Sequence, residues 1–185
     1  VVDYLKCDQI QLAERNGRPV ETAIKEGSNI NVMPEYVVSQ EVYHSVQKQI
    51  RKCHRELRGE MGLMLVFAGS TWTKDGNNVM RILDAWGEEV GEYYKYSPYV
   101  KPKKEKHGFE CCEVLSSPGK CCDIMAIENI GLFLPAICRD VIDGEYTEEL
   151  AHYLLPVFII IAAWSPSLAQ FAERQREMAN KYFIS

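Results

Sequence analysis

The sequence predicts a mainly α fold: a compact helical domain built on a central buried helix pair, with one short β-hairpin. Three observations carry this expectation. Residues 123–164 hold two long apolar runs joined by the turn Ile142-Asp143-Gly144-Glu145, and a helix that is apolar nearly all round lies inside a protein. Val42, Val46, Ile50, Cys53, Leu57, Met61 and Met64 recur in steps of three or four, the spacing of an amphipathic helix. The composition, 46% hydrophobic and 25% charged, is that of a globular chain and excludes bulk disorder.

The elements follow in order. Residues 1–38 are broken by Gly17, Pro19 and Gly27 and read as an N-terminal arm, with residues 39–185 as the helical domain, one lobe of a larger two-lobed protein. Because the chain starts at Val1, a fragment or processed product is expected. Pro34 or Ser39 opens the first strong helix, and Lys48, Arg51, Arg55 and Arg58 fall opposite its apolar stripe. Val79, Ile82, Leu83, Trp86 and Val90 form a second stripe, stopped by Gly91. Residues 93–108, with four Tyr and five Lys, read as a basic loop. A hairpin is expected around Ser116-Ser117-Pro118-Gly119, because Pro-Gly suits a type II turn. Asp123 and Thr147 then cap the two central helices, with Pro135 kinking the first. Ser165-Pro166 starts a last helix.

The longest uncharged apolar run, Leu154 to Trp164, is 11 residues, short of the roughly 20 that a membrane span needs. The start of the chain has no apolar signal core. Seven Cys with no secretory signal suggest reduced thiols inside a cell.

Few residues offer catalytic or metal-binding chemistry. Cys111-Cys112 and Cys121-Cys122 lack the spacing of a structural zinc site, and adjacent Cys on a strand point to opposite faces. Cys53 and His54, adjacent on a helix, are poor catalytic partners, and His152 reads as a core residue. No catalytic residue, metal ligand or cofactor is therefore expected, and the chain is read as a protein that is not an enzyme. The basic segments are the stronger signal. Residues 48–58 and 95–106 each carry +4 within a chain of net charge −5, which leaves −13 on the remainder. Lys and Arg neutralise phosphates, and Tyr offers bases a stacking surface. The RNA-binding candidates are Lys48, Arg51, Arg55, Arg58, Lys101, Lys103, Lys104 and Lys106.

Three stretches add a resemblance: Gly62 to Val90, Lys106 to Ser117 and Asn129 to Leu150. Their order resembles the N-terminal lobe of the nucleoproteins of non-segmented negative-strand RNA viruses, the pneumovirus and filovirus types above all. The resemblance implies a protein that coats genomic single-stranded RNA without sequence specificity. It implies self-assembly with neighbouring copies and recruitment of a phosphoprotein and polymerase. It places the chain in the host cytoplasm or nucleus, or in the virion. The competing reading is an intracellular helical interaction module, because Leu83-Asp84-Ala85-Trp86-Gly87-Glu88-Glu89 is similar to a BH3 helix core.

Overall fold

The computed structural model describes residues 18–57, 60, 62–63, 65–101, 111–117, 124–143, 157–163 and 169–182. It divides into two compact units, Val1–Trp72 with Val79–Glu92, and Thr73–Asn78 with Tyr93–Ser185.

In the first unit, helix α1 (18–25) leads into strand β1 (Ile30–Val32) and helix α2 (Gln40–Glu56). Helix α2 was legible in the sequence. Ser39 caps it by accepting the Val42 N–H at 3.3 Å, and Val42, Val46, Ile50 and Cys53 are buried. Strands β2 (Leu65–Phe67), β3 (Thr71–Trp72), β4 (Asn78–Asp84) and β5 (Glu89–Tyr94) follow. The sheet runs β1-β2-β4-β3, with β5 also on β4. β1 lies parallel to β2, with Ile30 opposite Leu65, and β2 lies antiparallel to β4, with Val66 opposite Leu83. The core joins Val20 and Ile24 of α1 to the α2 stripe and to Val66 and Leu83 of the sheet.

In the second unit, β6 (Val100–Lys101) pairs antiparallel with β7 (Cys111–Cys112). Strand β8 (Met125–Ile127) pairs antiparallel with β9 (Gly131–Ile137), and β9 pairs parallel with β10 (Val157–Ala162). Helix α3 (Arg139–Ile142) follows β9, and α4 (Ala169–Tyr182) packs against α3. Among the described residues no helix is long and apolar enough to cross a membrane.

The mainly α expectation is thus corrected: the chain is a mixed α/β protein. The central helix pair is replaced by a parallel strand pair, Gly131–Ile137 beside Val157–Ala162. A strand covered on both faces is apolar without alternation, so periodicity alone does not separate it from a buried helix. Pro135 stands opposite Ile160 of β10, and among the described residues β8 pairs with β9 only from Gly131 to Phe133. The stripe from Val79 to Val90 is a hairpin, not a helix. Its turn is closed by Gly87 N–H to Asp84 O at 3.1 Å, with Gly87 at φ 75°. Asp84 Oδ1 accepts from the Trp86 and Glu88 N–H groups, both at 2.9 Å. The segment likened to a BH3 helix is this turn, which removes the helical interaction-module reading. Of the expected hairpin around residues 116–119, Pro118-Gly119 lie outside the described residues, and the described strands on either side pair elsewhere, β7 with β6 and β8 with β9. Residues 1–17 of the N-terminal arm, Thr147, His152 and the cap at Ser165-Pro166 lie outside the described residues.

Candidate active site

Four ionisable side chains of the usual acidic and basic types are buried among the described residues: Glu35, Lys95, Glu113 and Asp140. Burying such groups is costly unless partners compensate. Three of them sit in the second unit, together with Cys138, and their surroundings are built in detail.

Cys138 stands between the end of β9 and the start of α3, at φ 46° and ψ −97°. That backbone region is unfavourable for a residue with a side chain and is held only when the surroundings impose it. Here they do. Cys138 N–H donates to Ala162 O at 3.0 Å, which ties the residue to the end of β10, and the Val141 N–H returns to Cys138 O at 3.3 Å. A strand, a strained residue and a helix in succession make a sharp elbow, the device that presents a nucleophile at a sheet edge in hydrolases. Cys138 is not in a disulfide and is 8% exposed.

Lys95 follows directly on β5, and its N–H donates to Asn78 O at 2.9 Å. Its ammonium donates to Glu113 Oε2 at 2.7 Å, with side-chain exposures of 0% and 4%. Glu113 is fixed as well. It accepts from Tyr99 N–H at 2.7 Å and from Asn78 Nδ2 at 3.0 Å, while its own N–H continues the β6–β7 pairing to Tyr99 O. Burial pushes the Glu113 carboxyl up. The Lys95 ammonium, the Tyr99 N–H and the Asn78 amide outweigh it, so Glu113 lies below its ordinary value and is ionised at neutral pH.

Asp140 is completely buried. Its Oδ1 accepts from the Tyr96 N–H at 3.0 Å and the Ser97 N–H at 2.6 Å. Its Oδ2 accepts from the Tyr93 hydroxyl at 2.8 Å and the Ile137 N–H at 3.1 Å. Burial pushes Asp140 up to about 6, against the pull of the Ser97 N–H, the Tyr93 hydroxyl, the Ile137 N–H and the Lys95 charge.

Glu35 belongs to the first unit, in a segment that the backbone holds tightly. Met33 N–H donates to Phe67 O at 2.9 Å, Tyr36 has φ 61°, and its N–H donates to Ser70 Oγ at 3.4 Å. Gly69, at φ 54°, lets this segment approach. A Cβ there would collide with the Pro34 carbonyl oxygen and stand 3.0 Å from Val38 Cγ2.

Lys48, Arg51 and Arg55 are exposed on α2, and Arg51 donates to Gly87 O at 3.3 Å and pairs with Glu88 at 3.0 Å. Lys101 is in β6. Arg58, Lys103, Lys104 and Lys106 lie outside the described residues, as do Cys121, Cys122 and His107. No cluster that could hold a metal ion occurs among the described residues. Sequence reasoning missed the second-unit residues Lys95, Glu113, Cys138 and Asp140. For Cys138 and Asp140 the available signal was the apolar run Gly131–Ile137 that they follow, which is informative only when the run is read as a strand.

No family model matches the chain, and no curated protein matches it. Solved structures do. A glutamate-to-leucine mutant of the amidase from Nesterenkonia sp. AN1, carrying the acetamide moiety of fluoroacetamide on its active-site cysteine, superposes with a TM-score of 0.64 at 17% identity. That match covers 96% of this chain and 68% of the amidase. A cysteine-to-alanine mutant of the same enzyme, described as from the nitrilase superfamily, gives 0.59 at 17% identity over 90% of this chain and 66% of the other. Glutamine-dependent NAD+ synthetase from Acinetobacter baumannii gives 0.56 at 16% identity, over 92% of this chain and 32% of the synthetase. The fold is therefore that of the nitrilase-superfamily amidases.

This overturns the expected nucleoprotein lobe, and with it RNA coating, self-assembly on a genome and recruitment of a phosphoprotein or polymerase. The expectation that the chain is not an enzyme is corrected on the same ground. Its matches are enzymes, one of them captured with a covalent adduct on its active-site cysteine. The basic segments misled because charge clustering is a surface property and carries no information about fold.

Proposed function

We propose that the protein is a cysteine-dependent amide hydrolase acting on small carboxamides, with Cys138 as the nucleophile. The single observation that carries the reading is the strained backbone of Cys138 between β9 and α3, in the unit that also buries the Lys95–Glu113 pair. The amidase neighbour, whose active-site cysteine accepts an acetamide group, supports the same chemistry.

In this reading the Cys138 thiolate attacks the amide carbon. The C–N bond breaks, ammonia leaves with a proton from an acid group, and a thioester remains. Water then attacks the thioester, the acid product leaves and the thiolate is restored. Lys95, held by Glu113, carries a positive charge of the sign that stabilises the negative oxygen of the tetrahedral intermediate. Glu113 is saturated with donors and held ionised, which suits an anchor for Lys95 better than a base. The synthetase neighbour favours a second substrate, the side-chain amide of glutamine. Reduced Cys53 and Cys138 fit an intracellular setting, where such a thiol stays active.

Ammonia release from acetamide, propionamide, acrylamide and glutamine tests the reading. The wild-type chain should release ammonia from at least one, and Cys138→Ala should release none. A wild-type chain inactive on all four, or an active Cys138→Ala variant, would falsify the proposal.

A further inference from the structure

The Asp140 carboxylate is bonded to both sides of the segment that carries Lys95, through the Tyr93 hydroxyl before it and the Tyr96 and Ser97 N–H groups after it. It is also bonded to the Ile137 N–H, immediately before Cys138. All four donors converge on one buried carboxylate, and none of them belongs to the reacting groups themselves. We infer that Asp140 is a positioning residue, one anchor that sets Lys95 and the Cys138 elbow in place together. This rests on the reading of Cys138 as the nucleophile, and it adds a residue that the chemistry above does not use.

The four donors demand an acceptor at both oxygens. An ionised carboxylate meets that demand; a protonated one turns one oxygen into a donor and gives up part of it. Below about pH 6 the anchor is therefore weakened. The groups that face Asp140 are the Tyr93 phenol and the Lys95 ammonium, the latter paired with Glu113. Its own element adds Cys138 and the Arg139–Asp143 ion pair. A bare charge effect would run in the opposite direction from an anchoring effect. Neutralising a nearby carboxylate favours the thiolate and speeds its reactions, whereas loosening the anchor slows them.

The test is alkylation of Cys138 by iodoacetamide in the native full chain, followed from pH 4.5 to 8.5 by peptide mass spectrometry. Buried Cys53 serves as internal control. Asp140→Asn keeps the volume and removes the charge. It should slow labelling by about tenfold or more at neutral pH, and it should lose the extra fall in rate that the wild type shows below about pH 6. Tyr93→Phe removes one of the four donors and should slow labelling less. It decides the matter if Asp140→Asn does not fold. Labelling at the wild-type rate and profile in the folded variants, or faster labelling, overturns the proposal. Alkylation requires no substrate. An Asp140 effect without ammonia release would therefore reject the amidase reading while keeping the anchor, and ammonia release without an Asp140 effect would do the reverse.

Discussion

Tyr93 donates its hydroxyl to Asp140 over 2.8 Å, joining the strand that leads to Lys95 with the helix that leaves Cys138. Sequence separates these residues by 47 positions. The pair shows how the second unit brings together groups that are ordinary one at a time: a tyrosine near the end of a strand, an aspartate in the first turn of a four-residue helix and the cysteine before that helix.

Backbone strain at Cys138 predicts an inverted stability order. Glycine adopts φ 46° without the clash of a Cβ. Cys138→Gly should therefore be more stable than Cys138→Ala by about 1 kcal/mol, the low end of the cost of a sparsely populated conformation. At an ordinary site alanine is the more stabilising of the two. Urea unfolding of both variants measures the difference, and an alanine variant of greater stability would show that the elbow is unstrained.

Lys95 and Glu113 predict a strongly coupled cycle. Lys95→Met leaves the Glu113 carboxylate buried without its cation, which should cost about 3–5 kcal/mol. Adding Glu113→Leu removes the uncompensated charge, so the double variant should be more stable than Lys95→Met alone. Denaturation midpoints of the four proteins in the cycle test this. Additive losses would mean that the two groups do not depend on each other.

How much of this was legible in the sequence depended on which faces of each element are covered. Helix α2 was readable because one face is buried and the other carries Lys48, Arg51 and Arg55. Strand β9 was not, since Phe133, Leu134, Ala136 and Ile137 are all buried and leave no alternation to read. The loss of β9 hid the site. A helix over Gly131–Ile137 gives no reason to single out Cys138 or Asp140. Lys95 was counted with a basic loop, although its ammonium is buried against Glu113. Net charge over a window does not distinguish a buried lysine from an exposed one.

Gly69 predicts a cost in first-unit stability. Gly69→Ala adds a Cβ against the Pro34 carbonyl and keeps φ at 54°, in a region alanine disfavours. The expected cost is about 1–3 kcal/mol. Urea unfolding measures the loss, and an alanine variant as stable as the wild type would show that the segment around Pro34 yields to the added Cβ.

Asp140 predicts a stability slope of uncommon sign for a carboxylate. Its pKa is raised in the folded chain, from 3.8 to about 6, chiefly by burial. Between these values the folded state keeps a proton that the unfolded state has released. Stability from this group is therefore fully present below pH 3.8, falls as pH rises through the window and levels off above about 6. A tenfold difference in proton affinity between the folded and unfolded chain is worth about 1.4 kcal/mol, so the loss is on the order of 3 kcal/mol. Glu113, held below its ordinary value, works the other way: its contribution is present above the unfolded value of 4.5 and is lost on acidification below it. Asp140→Asn should remove the decline between pH 4.5 and 6 and leave the acid loss due to Glu113. Urea unfolding at half-unit steps from pH 4 to 7 resolves the two. A decline that persists in Asp140→Asn would mean that another group titrates in that window and that Asp140 is ionised throughout it.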